Sequence, residues 1–386
     1  MVGIRAPYGQ TLSQQAFDPL RTRGHAAERT GRKRMGVLLL KPRDLQGLVS
    51  MKDAIDAVEQ GYRESTEFPV INGPRRRVHS PAGVRVSNFP GGVHQLGVMG
   101  AQVRAELVVQ EGPNQRYEHR ERPVHVLHDS TTGRLLAILF GEIDEKTIGP
   151  SSLMAFRTAA TSGIGFRHLV RKDASTVGLF GSGGQAANQL LALKTERPSI
   201  AHVKVFSRSP QNREAFADTY AEKFGVEIEP VDTPEPLLDD VDVVICATNT
   251  NVELFDGNRL VPGQHVTGII GGNKQLVQGG FLKKARREID DNTAARADII
   301  VTNLRESMIS EEQGDLFGPM QAGIIDLEDV FELGDFATGK HPGRTSDDQI
   351  TYHKNNNGTG SSEMAMAMTA YRRAVEEGRG TEIDLD

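Results

Sequence analysis

The chain has 386 residues, 38% of them hydrophobic and 25% charged, and a formal net charge of −6. This composition excludes a largely disordered chain, and the acidic balance argues against a protein that binds nucleic-acid phosphates. The single cysteine, Cys246, cannot form an internal disulfide. No apolar run reaches the roughly 18 residues that a membrane-spanning helix needs, so we expect a cytoplasmic protein of about two domains with no membrane partner.

The first part of the chain predicts a tail, a helix and a sheet. Residues 1–34 contain few large apolar side chains and predict an unpacked, disordered tail. Apolar residues at helical spacing predict an amphipathic helix over 51–66. Between 70 and 143, short segments of alternating apolar and polar residues are separated by Gly, Pro and Asn turns. This pattern predicts an antiparallel sheet.

From residue 151 onward, strands alternate with helices. A predicted helix over 151–173 is followed by apolar strands with amphipathic helices between them, beginning with TVGLFG, HVKVFS, VEIEP and VDVVICAT. This alternation is typical of a parallel sheet that helices cover on both faces. We therefore expect an α/β fold, with a doubly wound, Rossmann-type domain over 151–330. Residues 35–150 together with 331–386 are expected to form a smaller α+β domain.

A glycine-rich turn follows the first strand of this predicted domain. In TVGLFGSGGQA, Gly181, Gly183 and Ala186 occupy the three small positions of the dinucleotide-binding fingerprint. They permit a tight turn, a close approach of the backbone to a pyrophosphate, and close packing of the helix on the strand. Because the turn joins an apolar strand to a helix, it indicates a dinucleotide site at the helix N-terminus. The alternative is a glycine-rich turn without a ligand.

The end of the second strand bears on the choice of dinucleotide. NAD-selective sites place an acidic residue near this position, whereas an arginine accommodates the 2′-phosphate of NADP. Here the strand ends in Ser207, Arg208 and Ser209, and the next acidic residue is Glu214. The sequence therefore predicts a preference for NADP(H), with Arg213 as an additional cation. NAD(H) stays open as the alternative, with Arg208 as a solvated surface charge.

Two further segments are expected to contact the cofactor. Ligands of such sheets lie outside the carboxyl ends of the strands, so 247–250 and 268–272 should flank the ribose and the nicotinamide. The predicted cofactor-binding residues are Thr158, Gly181, Ser182, Gly183, Gly184, Gln185, Ser207, Arg208, Ser209, Thr248, Asn249, Gly271 and Asn357.

Four segments resemble the ornithine cyclodeaminase/mu-crystallin family, and the resemblance runs from Met35 to Gly378. They are DSTTGRLLAILFG at 129–141, RTAA at 157–160, the GSGGQA turn, and GRTSDDQIT at 343–351. The resemblance implies a homodimer in which the antiparallel sheet supports pairing and the last helix returns to that domain. It also implies chemistry on amino or imino acids, namely cyclodeamination, amino-acid dehydrogenation or reduction of a C=N bond.

The resemblance also implies two substrate-binding arginines. The family's arginine before Thr-Ala-Ala grips the substrate carboxylate, and Arg157 matches it. A guanidinium suits this role because it matches carboxylate geometry and is never neutral. A structural salt bridge is the alternative role for Arg157. A second carboxylate-binding arginine follows a proline in the family, which points to Arg75, although Arg76 and Arg77 compete for the assignment.

Two departures from the family pattern bear on the reaction. Gln102 stands where the family commonly has a lysine, and it can donate a hydrogen bond but carries no charge. Arg104, two residues later on a strand, should point to the same face and could supply the missing charge. The Asp that cyclodeaminases carry after the fifth strand is absent from 271–274. This second departure argues against a lyase.

We therefore predict an NAD(P)H-dependent oxidoreductase, an imine reductase or amino-acid dehydrogenase, with Arg157, Arg75, Gln102 and Arg104 at the reacting end of the site. Its partners would be a small imino or amino acid and a second copy of the chain. An ornithine-type cyclodeaminase is one alternative, and a dinucleotide-binding protein without activity, which the Gln102 departure favours, is another. The scattered histidines predict no metal site.

Overall fold

The computed structural model of the chain describes residues 36–385 except 74, 112–113, 272–273, 281 and 356–357. The predicted tail lies outside the described residues, and its disorder stays a prediction. The described residues form one contact unit that begins at Gly36, so the division into two domains also stays a prediction. No helix in these ranges is long and apolar enough to cross a membrane.

Strands dominate the chain up to residue 152. The elements in order are β1 (Val37–Leu40), α1 (Met51–Glu67), β2 (Arg76–His79), β3 (Val84–Val93), β4 (Val98–Glu111), β5 (Asn114–Arg120), β6 (Val124–Asp129), β7 (Leu135–Phe140), β8 (Glu142–Glu145) and β9 (Gly149–Ser152). Ser50 caps the start of α1 by two reciprocal hydrogen bonds with Asp53, of 3.2 and 3.1 Å. The predicted helix and antiparallel strands are thus present.

Helices and strands alternate in the rest of the chain. The elements are α2 (Leu153–Leu169), β10 (Thr176–Phe180), α3 (Gly184–Glu196), β11 (His202–Phe206), α4 (Pro210–Phe224), β12 (Glu227–Pro230), β13 (Val243–Cys246), β14 (His265–Gly268), α5 (Lys274–Gln278), α6 (Asp291–Arg296), β15 (Ile299–Thr302), α7 (Arg305–Ser310), α8 (Gly314–Gln321), β16 (Val330–Glu332), α9 (Leu333–Ala337), β17 (Thr351–Lys354), α10 (Gly360–Glu376) and β18 (Thr381–Ile383).

The second half builds a parallel sheet in the order β12-β11-β10-β13-β14-β17-β15-β16. The order reverses between β10 and β13, so a crevice opens there at the carboxyl ends of the strands. The sheet extends past the predicted boundary at 330, because β17 lies between β14 and β15. The sequence analysis did not predict β17, because its residues, TYHK, are polar and their burial depends on partners elsewhere in the chain.

The first sheet has the order β18-β1-β7-β6-β4-β3-β2, with β5 paired to β4. α10 returns to this sheet and packs on α1, β3 and β4. The approach is close, since a Cβ on Gly91 would lie 2.3 Å from the carbonyl carbon of Gly360. We call the side of the sheet that α10 covers the inner face. The first turn of α10 thereby brings Glu363 over the inner face.

Two fully buried histidines in the parallel sheet predict a loss of stability in mild acid. Burial lowers the pKa of His353 to about 3, and burial with His353 lowers the pKa of His265 well below 6.5. The unfolded chain therefore takes up protons near pH 6.5 that the folded chain cannot. Between pH 7.5 and 5.5 we expect each of these histidines to lower the free energy of unfolding by about 1 kcal/mol, measured as the difference between urea titrations of the protein and of a histidine variant.

His353→Asn should reduce this pH dependence of the free energy of unfolding by the contribution of one histidine. His202→Asn is the matched control, because His202 is exposed on β11, and it should leave the dependence unchanged. An unaltered pH dependence in His353→Asn would contradict the assignment.

Candidate functional site

A cleft of about 940 Å³ opens at the carboxyl edge of the parallel sheet. It is lined by the turns that follow β10, β11 and β13, by the start of α2, and by Arg104 of the first sheet. The structure therefore brings most of the predicted cofactor-binding residues together, namely Gly181, Ser182, Gly183, Gly184, Gln185, Ser207, Arg208, Ser209, Thr248 and Asn249. The cleft therefore extends from the crevice of the parallel sheet to Arg104 on β4.

The glycine-rich turn has the geometry that a dinucleotide requires. Gly181 has a φ of 109°, and a Cβ there would lie 2.4 Å from the carbonyl oxygen of Ala247, so only glycine fits. A Cβ on Gly183 would meet nothing within 4 Å, which leaves the space that a pyrophosphate would fill. α3 begins directly after Gly183 and offers its N-terminal N–H groups to that space. These residues fit a dinucleotide.

The two arginines near the end of β11 have different surroundings. Arg208 is exposed at the cleft and makes no ion pair or hydrogen bond with the described residues. Arg213 is buried, donates to the carbonyl oxygen of Ser207 at 3.1 Å and pairs with Asp232. Arg213 therefore holds the loop, and its expected role as an additional cation for the 2′-phosphate stays a prediction. Arg208 remains available to a ligand.

Two predicted cofactor-binding residues lie elsewhere. Thr158 and Gly271 do not line this cleft. Thr158 donates to the carbonyl oxygen of Met154 at 2.8 Å, and its own carbonyl oxygen accepts from Asn355 at 2.9 Å. Asn357 lies outside the described residues. The roles of these three residues stay predictions.

Strand register places the other predicted residues on the inner face of the first sheet. Gln102 lies opposite Phe89 of β3 and His125 of β6. Because side chains alternate along a strand, Gln102 and Arg104 share one face, as expected. Gln102 is fully buried, and neither atom of its amide has a hydrogen-bond partner among the described residues. The family's lysine position thus holds a neutral side chain whose hydrogen-bonding capacity is unused.

Arg157 is held beside this face by a buried carboxylate. Its Nε and Nη2 donate to Oε1 of Glu363 at 2.9 and 2.6 Å, and His125 Nε2 lies 3.2 Å from Oε2. Burial would raise the pKa of Glu363, but Arg157 and His125 together lower it below its usual range. Nη1 of Arg157 has no hydrogen-bond partner in the described part of the chain. Arg157 therefore makes the structural salt bridge and retains one buried donor.

The three consecutive arginines, Arg75, Arg76 and Arg77, have different surroundings. Arg75 and Arg77 both pair with Glu311, at 2.9 and 3.2 Å, whereas Arg76 is exposed. The guanidinium of Arg75 also lies 5.6 Å from the centre of the Phe89 ring, and Phe89 is the strand partner of Gln102. Burial and Arg75 lower the pKa of Arg77 to about 9. Arg75, the residue predicted from the resemblance, thus lies on the same side as Gln102.

The sequence analysis missed the acidic residues that pair with these arginines. Glu106 pairs with Arg104, Arg85 and Arg120, Glu311 with Arg75, and Glu363 with Arg157. One feature could have indicated Glu363, because it stands in the apolar helical run SSEMAMAM, where a charge needs a buried partner. Glu106 and Glu311 have no comparable local feature.

Comparison with known proteins extends over nearly the whole chain. A profile of the ornithine cyclodeaminase/mu-crystallin family matches residues 37–378. The Delta(1)-pyrroline-2-carboxylate reductase of Bacillus cereus (strain ATCC 10987 / NRS 248) is 26% identical over 355 residues, which are 90% of this chain and 100% of that protein.

Two solved structures are similar in fold. The Thermococcus litoralis Delta(1)-pyrroline-2-carboxylate reductase in complex with NADH and L-proline has a TM-score of 0.74 and 26% identity, over 90% of this chain and 100% of that one. The iminosuccinate reductase of Paracoccus denitrificans in complex with NAD⁺ has a TM-score of 0.75 and 23% identity, over 91% and 100%. The predicted α/β fold with a Rossmann-type domain is confirmed. The chain belongs to the ornithine cyclodeaminase/mu-crystallin family.

Proposed function

We propose that this protein reduces the C=N bond of a small cyclic imino acid of the Δ1-pyrroline-2-carboxylate type, with NADPH as the preferred reductant. The broader class, an NAD(P)H-dependent imine reductase that uses a nicotinamide dinucleotide, is confirmed by the similarity to the Bacillus cereus and Thermococcus litoralis reductases. When bound, the dinucleotide supplies the hydride that the imine carbon receives.

The observation that carries the substrate proposal is a set of buried donors without acceptors. Arg157 Nη1 and the Gln102 amide have no hydrogen-bond partners among the described residues. A buried donor without a partner typically costs about 1–3 kcal/mol, and a carboxylate would offer acceptors to both groups. Glu363 holds the guanidinium of Arg157 in one orientation, so little freedom would be lost when the carboxylate binds. This supports an imino acid over an uncharged imine.

The neutral side chain of Gln102 bears on the proton. Reduction adds hydride to the imine carbon and one proton to the nitrogen. Gln102 can orient the substrate by a hydrogen bond but has no proton to give up. We infer that the substrate binds as the protonated imine, whose positive charge is offset by the substrate's own carboxylate. The side chain of Gln102 would then orient the ring and not act as an acid.

A screen of imino acids tests the function. Linear and cyclic imino acids, made from amino acids with an oxidase, would be mixed with the enzyme and NADPH, and absorbance at the NADPH band would be followed. We expect oxidation of NADPH with cyclic imino acids and formation of the cyclic amino acid. Release of ammonia from ornithine without net cofactor oxidation would instead establish a cyclodeaminase. Tight NADPH binding without turnover of any imino acid would favour an inactive binding protein.

We also propose a homodimer that pairs through the outer face of the first sheet, the side opposite α10. Val78, Met99, Val103 and Phe140 are exposed on this face, and Val103 lies opposite Val124, which lies opposite Phe140. A contiguous apolar strip of this kind favours burial against a second copy. The resemblance to a family of dimers supports the same surface.

Val103→Glu should convert the dimer to a monomer, because a charge would be buried at the centre of the pairing surface. Light scattering coupled to size exclusion would measure the mass. Val261→Glu is the control, since Val261 is 50% exposed on a loop beside the parallel sheet, and its variant should keep the native mass. A dimer that persists in Val103→Glu would refute this surface.

A further inference from the structure

A fully buried cluster of three ionisable residues lies behind the cleft. Nζ of Lys354 is 3.2 Å from Oε1 of Glu288 and 2.5 Å from Oδ2 of Asp315, and all three side chains have no exposed surface. Lys354 stands at the carboxyl end of β17, next to β14 in the sheet. The cluster therefore lies at the same edge as the cofactor-binding turns.

Glu288 connects this cluster to two loops. Its Oε2 accepts from the hydroxyl of Thr248 at 3.4 Å, and its Oε1 accepts from the backbone N–H of Ile270 at 2.7 Å. Thr248 follows β13 and lines the cleft, and Ile270 follows β14. The Glu288 carboxylate therefore connects the loops that follow two neighbouring strands, β13 and β14.

We propose that Glu288 is a positioning residue for the nicotinamide half of the dinucleotide, holding the loops after β13 and β14 in the geometry that this half requires. The inference rests on the proposed placement of the cofactor across the crevice between β10 and β13. In a doubly wound sheet, the two halves of a dinucleotide lie on either side of that crevice. Arg208 is on the β11 side, whereas Thr248 and Ile270 are on the other.

The composition of the cluster supports a positioning role. Buried ion pairs add little stability compared with apolar residues of the same size, because removing the charges from water offsets their attraction. Asp315 is also held from the backbone, since it accepts from the N–H groups of Glu288 and Ile289 at 2.9 and 3.2 Å. Lys354 thus holds the Glu288 carboxylate directly, and Asp315 holds the backbone of Glu288. The benefit of such a cluster is a defined carboxylate position.

Binding of two ligands to Glu288→Gln tests the proposal. Dissociation constants would be measured by calorimetry for NADPH and for adenosine 2′,5′-bisphosphate, which contains only the adenosine half. We expect NADPH to bind at least fivefold more weakly, with the bisphosphate changed by less than twofold. Glu332→Gln is the matched control, because Glu332 is a partly buried carboxylate on β16 at the far edge of the sheet. This control should bind both ligands normally.

Several outcomes would overturn the proposal. Equal weakening of both ligands would show that Glu288 only supports the fold, and unchanged binding of both would show that the loops do not depend on it. If Glu288→Gln does not fold, Glu288→Asp keeps the charge beside Lys354 but shortens its reach, and the same selective loss is expected. If the unaltered protein binds neither ligand, the cofactor proposal itself fails, and the role of Glu288 with it.

Discussion

Replacing Arg157 with alanine should abolish imino-acid reduction and lower the free energy of unfolding by about 3–5 kcal/mol. The loss of stability follows because Glu363, which has no exposed surface, would keep a buried charge with only His125 beside it. The loss of activity follows from the proposed carboxylate contact of Nη1. Urea unfolding and steady-state kinetics would measure the two effects separately.

Arg157→Lys separates the role in binding from the role in folding. Lysine keeps a positive charge near Glu363 but lacks the planar set of guanidinium N–H donors, so we expect a smaller loss of stability than with alanine. The Michaelis constant for a cyclic imino acid should still rise at least about tenfold, or ~1.4 kcal/mol. A related imine without a carboxylate should be affected far less. Equal losses for both substrates, together with lost NADPH affinity, would place Arg157 in the cofactor site or the fold.

Replacing Arg208 with alanine should weaken NADPH binding by about 1.5–3 kcal/mol, the range for a hydrogen bond to a charged group, and should leave NADH binding nearly unchanged. The reason is that Arg208 is exposed at the cleft without an ion-pair partner among the described residues, where only the 2′-phosphate distinguishes the two cofactors. Dissociation constants for both cofactors would be measured by fluorescence titration.

Arg213→Ala provides the comparison for Arg208. Arg213 holds the carbonyl oxygen of Ser207 and pairs with Asp232, so its removal should disturb the loop and weaken both cofactors together. The same pattern in Arg208→Ala, or no change in NADPH affinity, would refute the proposed contact with the 2′-phosphate.

Local features of the sequence determined the parallel sheet and its phosphate-binding turn. Apolar strands and amphipathic helices have their own periodicities, and the positive φ of Gly181 is a local requirement of its turn. The position of Arg208 at the end of β11 followed in the same way, because it depends only on where that strand ends. The family resemblance added Arg157, Arg75 and the expected type of chemistry.

The partners of the buried charges were decided only by the tertiary structure. Arg157 and Glu363 are 206 positions apart, and Glu288 is 66 positions from Lys354. β17, likewise, was not recognised as an interior strand, because its polar residues are buried against β14 and β15. The energy of a buried charge depends on which group of opposite sign the fold brings within about 3 Å, and local periodicity carries no information about that pairing.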